Sequence, residues 1–166
     1  MISNLKKLIK LLFYCLINLF ISPSKEIKRK SLLLVRLDAI GDYVLFRNFI
    51  KLLKKNQKYN DYTITLLGNS VWKNLSKELD YEYVDDFIWL DRNKFHKNLI
   101  YRYKKLKEIT FYGYEIVINP AYSREFYYSD TIVKLLTANE KIGSISDTSN
   151  LNVFKKNVSD KYYTKL

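Results

Sequence analysis

Three observations predict an α/β fold, in which helices cover both faces of a parallel sheet. Short apolar runs alternate with helix-like segments along residues 31–146. The length of 166 residues is about that of one domain. Apolar residues make up 48% of the chain and charged residues 28%, which is typical of a folded globular protein. Strands and helices in alternation form a parallel sheet with helices on both sides.

The first predicted strand is the apolar run SLLLVRL at residues 31–37. A helical pattern starts at Asp42, because one face collects the side chains of Leu45, Phe49, Leu52 and Leu53. A short helix at residues 69–79 has Asn69 or Ser70 available as its N-cap. The other predicted elements are strands at 62–68, 84–91, 114–120 and 141–146, and helices at 93–109 and 124–138.

An amphipathic helix is predicted for residues 1–24. The apolar run from Leu11 to Ile21 is about half the ~20 residues that a membrane-spanning helix needs. A narrow polar stripe lies beside a wide apolar face and consists of Ser3, Lys7, Lys10, Tyr14 and Asn18. Such a helix can lie in a membrane interface. Two alternatives stay open, namely a signal peptide, although no small-residue cleavage site follows, and a helix packed on the protein body.

The segments around the predicted body are polar and basic. Pro23 ends the first helix, and residues 25–30 are interpreted as a basic linker. The Rossmann-like body spans residues 31–146, and residues 147–166 are interpreted as a further linker. The net charge is +12, and the first 30 positions hold seven basic residues and one acidic residue. This asymmetry favours an anionic partner for the N-terminal segment, either a lipid surface or nucleic acid.

Composition also excludes several kinds of site. Cys15 is the single cysteine, so neither an internal disulfide nor a cysteine-based zinc site can form. His96 is the single histidine, which excludes a multi-histidine metal site. No G-x-G-x-x-G fingerprint and no P-loop pattern occurs.

The turn between the first strand and the first body helix carries the candidate chemistry. In open parallel sheets, ligands bind at the carboxyl ends of the strands, and residues 37–42 lie at that edge. Gly41 permits a tight turn or close approach of a ligand. Asp42 lies in the first helical turn, where the helix dipole favours a carboxylate. Either Asp38 or Asp42 can instead serve only as a helix cap.

Two blocks of the sequence resemble glycosyltransferase family 9, the heptosyltransferases of lipopolysaccharide synthesis. LLLVRLDAIGDYVLFRNFIKLLKK is similar to the family's opening strand, its R/K-x-x-x-x-G-D turn and its first helix, with Arg36, Gly41 and Asp42 at the motif positions. YEIVINPAYSREFYYSDTIVKLLTANEKIG is similar to the family's fourth strand, polar loop, helix and closing strand. Together the two blocks and their spacing cover roughly residues 31–146.

The resemblance implies the acceptor-binding, N-terminal half of a GT-B fold. It implies an inverting transfer without a bound metal or cofactor, from a nucleotide-sugar such as ADP-heptose to a lipopolysaccharide or other cell-surface glycan. Asp42 would be the general base. Arg36, Arg47 and Arg124 would bind phosphates or carboxylates of an anionic, lipid-linked acceptor. The expected location is the inner face of the bacterial cytoplasmic membrane.

Two departures from the family pattern limit this interpretation. Asn48 stands where many members have proline, which leaves the acceptor open. The donor-binding domain is expected beyond residue 166, so this chain is interpreted as a fragment that is inactive alone. The alternative is a non-catalytic, membrane-attached binding module with the same fold. Nucleic-acid binding rests on charge alone, because no recognised motif accompanies it.

Overall fold

The computed structural model describes residues 2–166 and, for side chains, residue 5 and residues 9–166. Its centre is one sheet of five parallel strands in the order β3-β2-β1-β4-β5. The strands are β1 Ile27–Arg36, β2 Thr63–Asn69, β3 Asp86–Leu90, β4 Gly113–Asn119 and β5 Ala138–Gly143. The predicted Rossmann-like α/β fold is confirmed. The strand order reverses between β1 and β4, which makes the carboxyl ends of these two strands the topological switch point.

The helices cover both faces of the sheet. They are α1 Ile2–Leu19, α2 Ile40–Lys55, α3 Lys73–Leu79, α4 Arg92–Lys97, α5 Leu99–Ile109, α6 Thr131–Leu135 and α7 Val153–Asp160. Side chains of β1 alternate between two cores, as a strand requires. Leu33 and Val35 belong to the core that includes α5 and α6, whereas Leu32 and Leu34 belong to the core that includes α2.

The strand β1 begins earlier than the sequence analysis places the body. Ile27 and Lys28 pair with the start of β4, inside the segment interpreted as a linker. The register shifts between Lys28 and Leu32, and Lys30 has a φ of 50° in the left-handed region. The basic side chains of this stretch are exposed, so the hydrophobicity pattern does not reveal a strand there. The register shift separates the stretch from the buried residues 31–36 of β1.

Three predicted helices are divided. The segment 93–109 forms α4 and α5, because Asn98 ends the first and caps the second by accepting from the backbone N–H of Tyr101 at 2.9 Å. The segment 124–138 forms a π-helical turn, Phe126–Asp130, followed by α6. The segment 69–79 forms a 3₁₀ turn, Ser70–Trp72, followed by α3; of the two predicted caps, Asn69 caps this turn, as its side chain accepts from Val71 N at 3.3 Å.

The two terminal segments pack on the sheet domain. In the segment 147–166, Leu151 and Tyr163 are buried, and Lys165 forms a parallel bridge with Ile142 of β5. At the other end, α1 contacts α5. In the part of the chain that the structure describes, no helix has both the length and the apolar character needed to cross a membrane.

Candidate functional site

A cavity of about 590 Å³ lies at the carboxyl ends of β1 and β4, at the switch point of the sheet. Its volume falls within the range of small-molecule sites, about 300–1,000 Å³. It is lined by the β1–α2 turn, the start of α4 and the loop after β4. The lining residues are Arg36, Asp38, Ala39, Asp42, Leu45, Phe46, Arg92, Pro120, Ala121, Tyr122, Ser123, Glu125 and Asn150.

Side chains from neighbouring strand ends hold the backbone of the β1–α2 turn. The carbonyl of Asp38 accepts from Asn69 Nδ2 at 3.2 Å and from Trp72 Nε1 at 3.1 Å. The carbonyl of Leu37 accepts from Arg92 Nη1 at 2.8 Å. Because these donors follow the ends of β2 and β3, the neighbouring strands help to fix the turn at the cavity.

Asp38 forms an ion pair instead of capping α2. The N-cap position is Ala39, and no side chain caps the helix there. The Asp38 carboxylate lies 2.7 Å from Arg36 Nη2, and the Arg36 guanidinium packs 4.3 Å from the centre of the Phe46 ring. Burial raises the pKa of Asp38, and the nearby Arg36 charge opposes that rise. Burial likewise lowers the pKa of Arg36, against the pull of Asp38.

Asp42 presents an exposed carboxylate to the same cavity. Arg36 Nη2 donates to the backbone carbonyl of Asp42 at 3.1 Å and so holds this first turn of α2 against β1. Within residues 9–166, no side chain donates a hydrogen bond to the Asp42 carboxylate and no cation pairs with it. The carboxylate oxygens are therefore available to a ligand in the cavity.

Gly41 lies in the first turn of α2, next to Asp42, and its conformation is open to any residue. Its φ is not positive, and a Cβ at this position would meet nothing within 4 Å. The tight turn that the sequence suggested does not require glycine here. Because Gly41 has no side chain, its backbone is accessible next to Asp42 and the cavity.

The opposite wall contains residues that sequence reasoning did not single out. Arg92 Nη2 lies 2.6 Å from Glu125 Oε1, so the start of α4 and the loop after β4 are joined across the cavity. Tyr122 is 68% exposed in that loop. The signal that could have found Arg92 and Glu125 is their position directly after β3 and β4, at the ligand edge of a parallel sheet.

Two of the predicted arginines lie outside the cavity lining. Arg47 donates to the carbonyl of Leu79 at 2.9 Å and lies 3.1 Å from Asp80 Oδ1. Arg124 is fully buried, is paired with Asp160, and stacks its guanidinium over the ring of Tyr163 at 4.6 Å. Both guanidinium groups are thus engaged within the chain. Of the three arginines, only Arg36 lines the cavity, and its partner is Asp38.

The charges that line the cavity nearly balance, with two arginines facing three carboxylates. A phosphate site is favoured by an excess of positive charge and by free backbone donors. The uncapped first turn of α2 supplies backbone donors, but the carboxylates outnumber the arginines. This surface instead offers carboxylate oxygens, which accept hydrogen bonds, beside the aromatic rings of Phe46 and Tyr122. That combination suits a ligand with hydroxyl groups and an apolar face. Among the described residues, no three His, Cys, Asp or Glu side chains cluster in a way that would hold a metal ion.

Comparison of the chain with models of protein families, with curated proteins and with solved structures gives no match.

Proposed function

We propose that this domain is the acceptor-binding half of a sugar transferase of the family 9 type and that Asp42 is its general base. The observation that carries the proposal is the Asp42 carboxylate, which faces the switch-point cavity without an internal partner among residues 9–166. The resemblance of the R-x-x-x-x-G-D turn to that of the heptosyltransferases supports the same role.

In the proposed reaction, an acceptor hydroxyl lies against Asp42. The carboxylate takes the hydroxyl proton as the oxygen forms a bond to the anomeric carbon of the donor sugar. The bond from that carbon to the nucleotide diphosphate breaks, and its electron pair leaves with the diphosphate. Attack from the opposite face inverts the anomeric centre. A positioned base of this kind contributes about 10²–10⁴-fold to the rate.

The role of Arg36 in this proposal is positioning. Its guanidinium pairs with Asp38 and holds the Asp42 backbone carbonyl, so it fixes where the base lies relative to the cavity. The balanced charge of the lining favours an uncharged, hydroxyl-bearing part of the acceptor inside the cavity. Phosphate or carboxylate groups of an anionic acceptor would then lie outside it. The nucleotide-sugar would be held by a second domain, and the proposed place of action is the inner face of the cytoplasmic membrane.

Titration of the ¹⁵N-labelled chain with saccharides tests the proposed binding site. We expect neutral oligosaccharides to shift the amide signals of Gly41, Asp42 and Tyr122. Asp42→Asn should weaken this binding, because a carboxylate accepts stronger hydrogen bonds than an amide oxygen. Asp86→Asn is the matched control, since Asp86 is an exposed carboxylate at the start of β3, on the opposite edge of the sheet.

The same titration separates the proposal from its rivals. Shifts confined to residues outside the cavity would contradict the assignment of the site. Binding of inorganic phosphate in the cavity in preference to neutral saccharides would contradict the proposed ligand chemistry. Binding at the cavity by a complete gene product that transfers no sugar would favour a non-catalytic binding module.

A further inference from the structure

We infer that the outward face of α1 is a membrane-docking surface that lies flat on an anionic lipid bilayer. The inference does not depend on the proposed transfer reaction. It rests on the direction in which this helix faces, on the charges that follow it and on its length.

The polar side of α1 faces the protein. Tyr14 is 3% exposed, and its hydroxyl donates to the backbone carbonyl of His96 at 2.5 Å. The Arg102 guanidinium lies 4.0 Å from the centre of the Tyr14 ring. Lys10 and Asn18, one turn on either side of Tyr14, are half-buried. The described part of the polar stripe is therefore turned toward the protein, and Tyr14 packs on α4 and α5.

The apolar side of α1 faces outward. Seven large side chains on this side and just beyond the helix end are between 43% and 81% exposed, namely Leu5, Ile9, Leu12, Phe13, Leu16, Leu19 and Phe20. Their spacing of three and four residues places them on one continuous face. We call this set the outer face of α1.

This orientation is the reverse of that of an ordinary surface helix. A helix on a water-soluble domain turns its apolar stripe to the core and its polar residues to water. Rotating α1 by half a turn about its axis would turn its apolar side toward the protein. That rotation would break the contacts of Tyr14 with His96 and Arg102. A contiguous exposed apolar surface of this kind marks an interaction site.

The basic residues that follow α1 in the chain favour lipid over a second copy of the chain. Lys25, Lys28 and Arg29 are exposed and lie six to ten residues beyond the end of α1. The whole chain carries +12. Two copies meeting at this face would bring the same positive charges together, whereas anionic headgroups attract them. Since no described helix can cross a membrane, the helix would lie in the interface plane with its apolar side among the acyl chains.

Docking through α1 would place the switch-point cavity close to the bilayer. The helix α4 connects the two surfaces, because Arg92 at its start lines the cavity and His96 near its end contacts Tyr14. Four residues along a helix span about 6 Å, and the thickness of α1, about 10–12 Å, lies between His96 and the bilayer. A lipid-linked molecule held in the same bilayer would therefore meet the cavity beside the membrane surface.

Vesicle binding by the full chain tests the inference. Cys15 is the single cysteine, is exposed, and lies between Leu12 and Leu19 on the outer face, so it can carry an environment-sensitive fluorophore. We expect a blue shift with vesicles of phosphatidylcholine and phosphatidylglycerol, and much weaker binding to phosphatidylcholine alone. Replacing Lys25, Lys28 and Arg29 with glutamine should weaken binding to the anionic vesicles by about fivefold per residue.

Matched triple variants separate the outer face from general surface hydrophobicity. Leu12→Gln, Leu16→Gln and Leu19→Gln together should weaken vesicle binding by at least about 100-fold, measured by flotation of unlabelled protein. The control carries Leu52→Gln, Val71→Gln and Phe154→Gln, three exposed apolar residues on other elements, and should bind as the parent does. Circular dichroism checks that both variants are folded.

Three results would overturn the inference. The first is equal loss of binding in both triple variants. The second is a blue shift of the same size with neutral and anionic vesicles. The third is a dimer in sedimentation that the α1 variant dissociates while the protein fails to bind vesicles, because the outer face would then be covered by a second copy.

Discussion

Replacement of Gly41 by alanine should stabilise the domain while weakening binding at the cavity. Gly41 lies in the first turn of α2 with a φ that alanine adopts readily, and an added Cβ would meet nothing within 4 Å. Gly→Ala at such a position restricts the unfolded chain and improves helix propensity, which gives about 0.4–1 kcal/mol. In a domain of this size, 1 kcal/mol corresponds to about 2–4 °C in Tm. We therefore expect Tm to rise by about 1–4 °C.

In the proposed site a ligand at Asp42 lies against the neighbouring backbone of Gly41, so the added methyl group should lower saccharide affinity by about tenfold. Thermal unfolding and the amide titration measure the two effects on one sample. A stability loss beyond about 0.5 kcal/mol would mean that the fold itself requires Gly41. Unchanged affinity would mean that no ligand approaches this turn.

Three further predictions concern stability, each measured by urea unfolding. Gly68→Ala should cost about 1–3 kcal/mol or more, because its Cβ would lie 2.4 Å from the Trp72 ring; a neutral effect would contradict this close packing. Arg124→Ala should cost about 3–5 kcal/mol, because the buried Asp130 carboxylate loses its cation and Asp160 keeps only Lys156; a loss below about 1 kcal/mol would mean that solvent reaches Asp130. Burial and nearby cations lower the pKa of His96 below its usual 6.5, so its contribution to stability is present above pH 6.5 and is lost as pH falls through the lower folded value. The His96→Gln variant should therefore lose less stability than the parent as the pH falls. An unchanged dependence of the unfolding free energy on pH would contradict this prediction.

The fold was predictable because its signals are local. Each buried strand is an apolar run bounded by polar or turn residues. The helix α2 was predicted, but its inward face was wrong apart from Leu53: Tyr43 and Ile50 are buried with it, whereas Leu45, Phe49 and Leu52 are exposed. The start of β1 was not predictable, since Lys28 to Lys30 are solvated strand residues and the pairing of Ile27 and Lys28 with β4 is a long-range contact. The break at Asn98 was not predicted. Its only local signal is that asparagine can cap a helix, and the strong helical periodicity of residues 93–109 outweighed that signal.

The site was predictable at one wall only. Arg36, Gly41 and Asp42 share one short stretch, and the topology of a parallel sheet places that stretch at the ligand edge. The other wall, with Arg92 and Glu125, depends on which strands are neighbours, and the sequence does not show the strand order. Arginine patterns are ambiguous for the same reason, because an internal carboxylate partner such as that of Arg124 becomes visible only in the structure.

The orientation of α1 was also beyond the sequence. The pattern showed a polar stripe and an apolar face, and it left an interfacial helix and a packed helix as alternatives. The structure combines features of both, because the helix packs through Tyr14 and leaves its apolar side exposed. A side-chain contact with α4 decides the direction, and no periodicity of α1 alone can reveal it.

The rate of sugar transfer in Asp42→Asn, measured in the complete gene product, tests the central claim most directly. The carboxylate is exposed and accepts no side-chain hydrogen bond within residues 9–166, so the variant should fold with a Tm close to that of the parent. We predict that its turnover falls by about 10²–10⁴-fold, as expected for loss of a positioned base. Turnover close to that of the parent, in a variant that still binds acceptor, would contradict the role of Asp42 as the base.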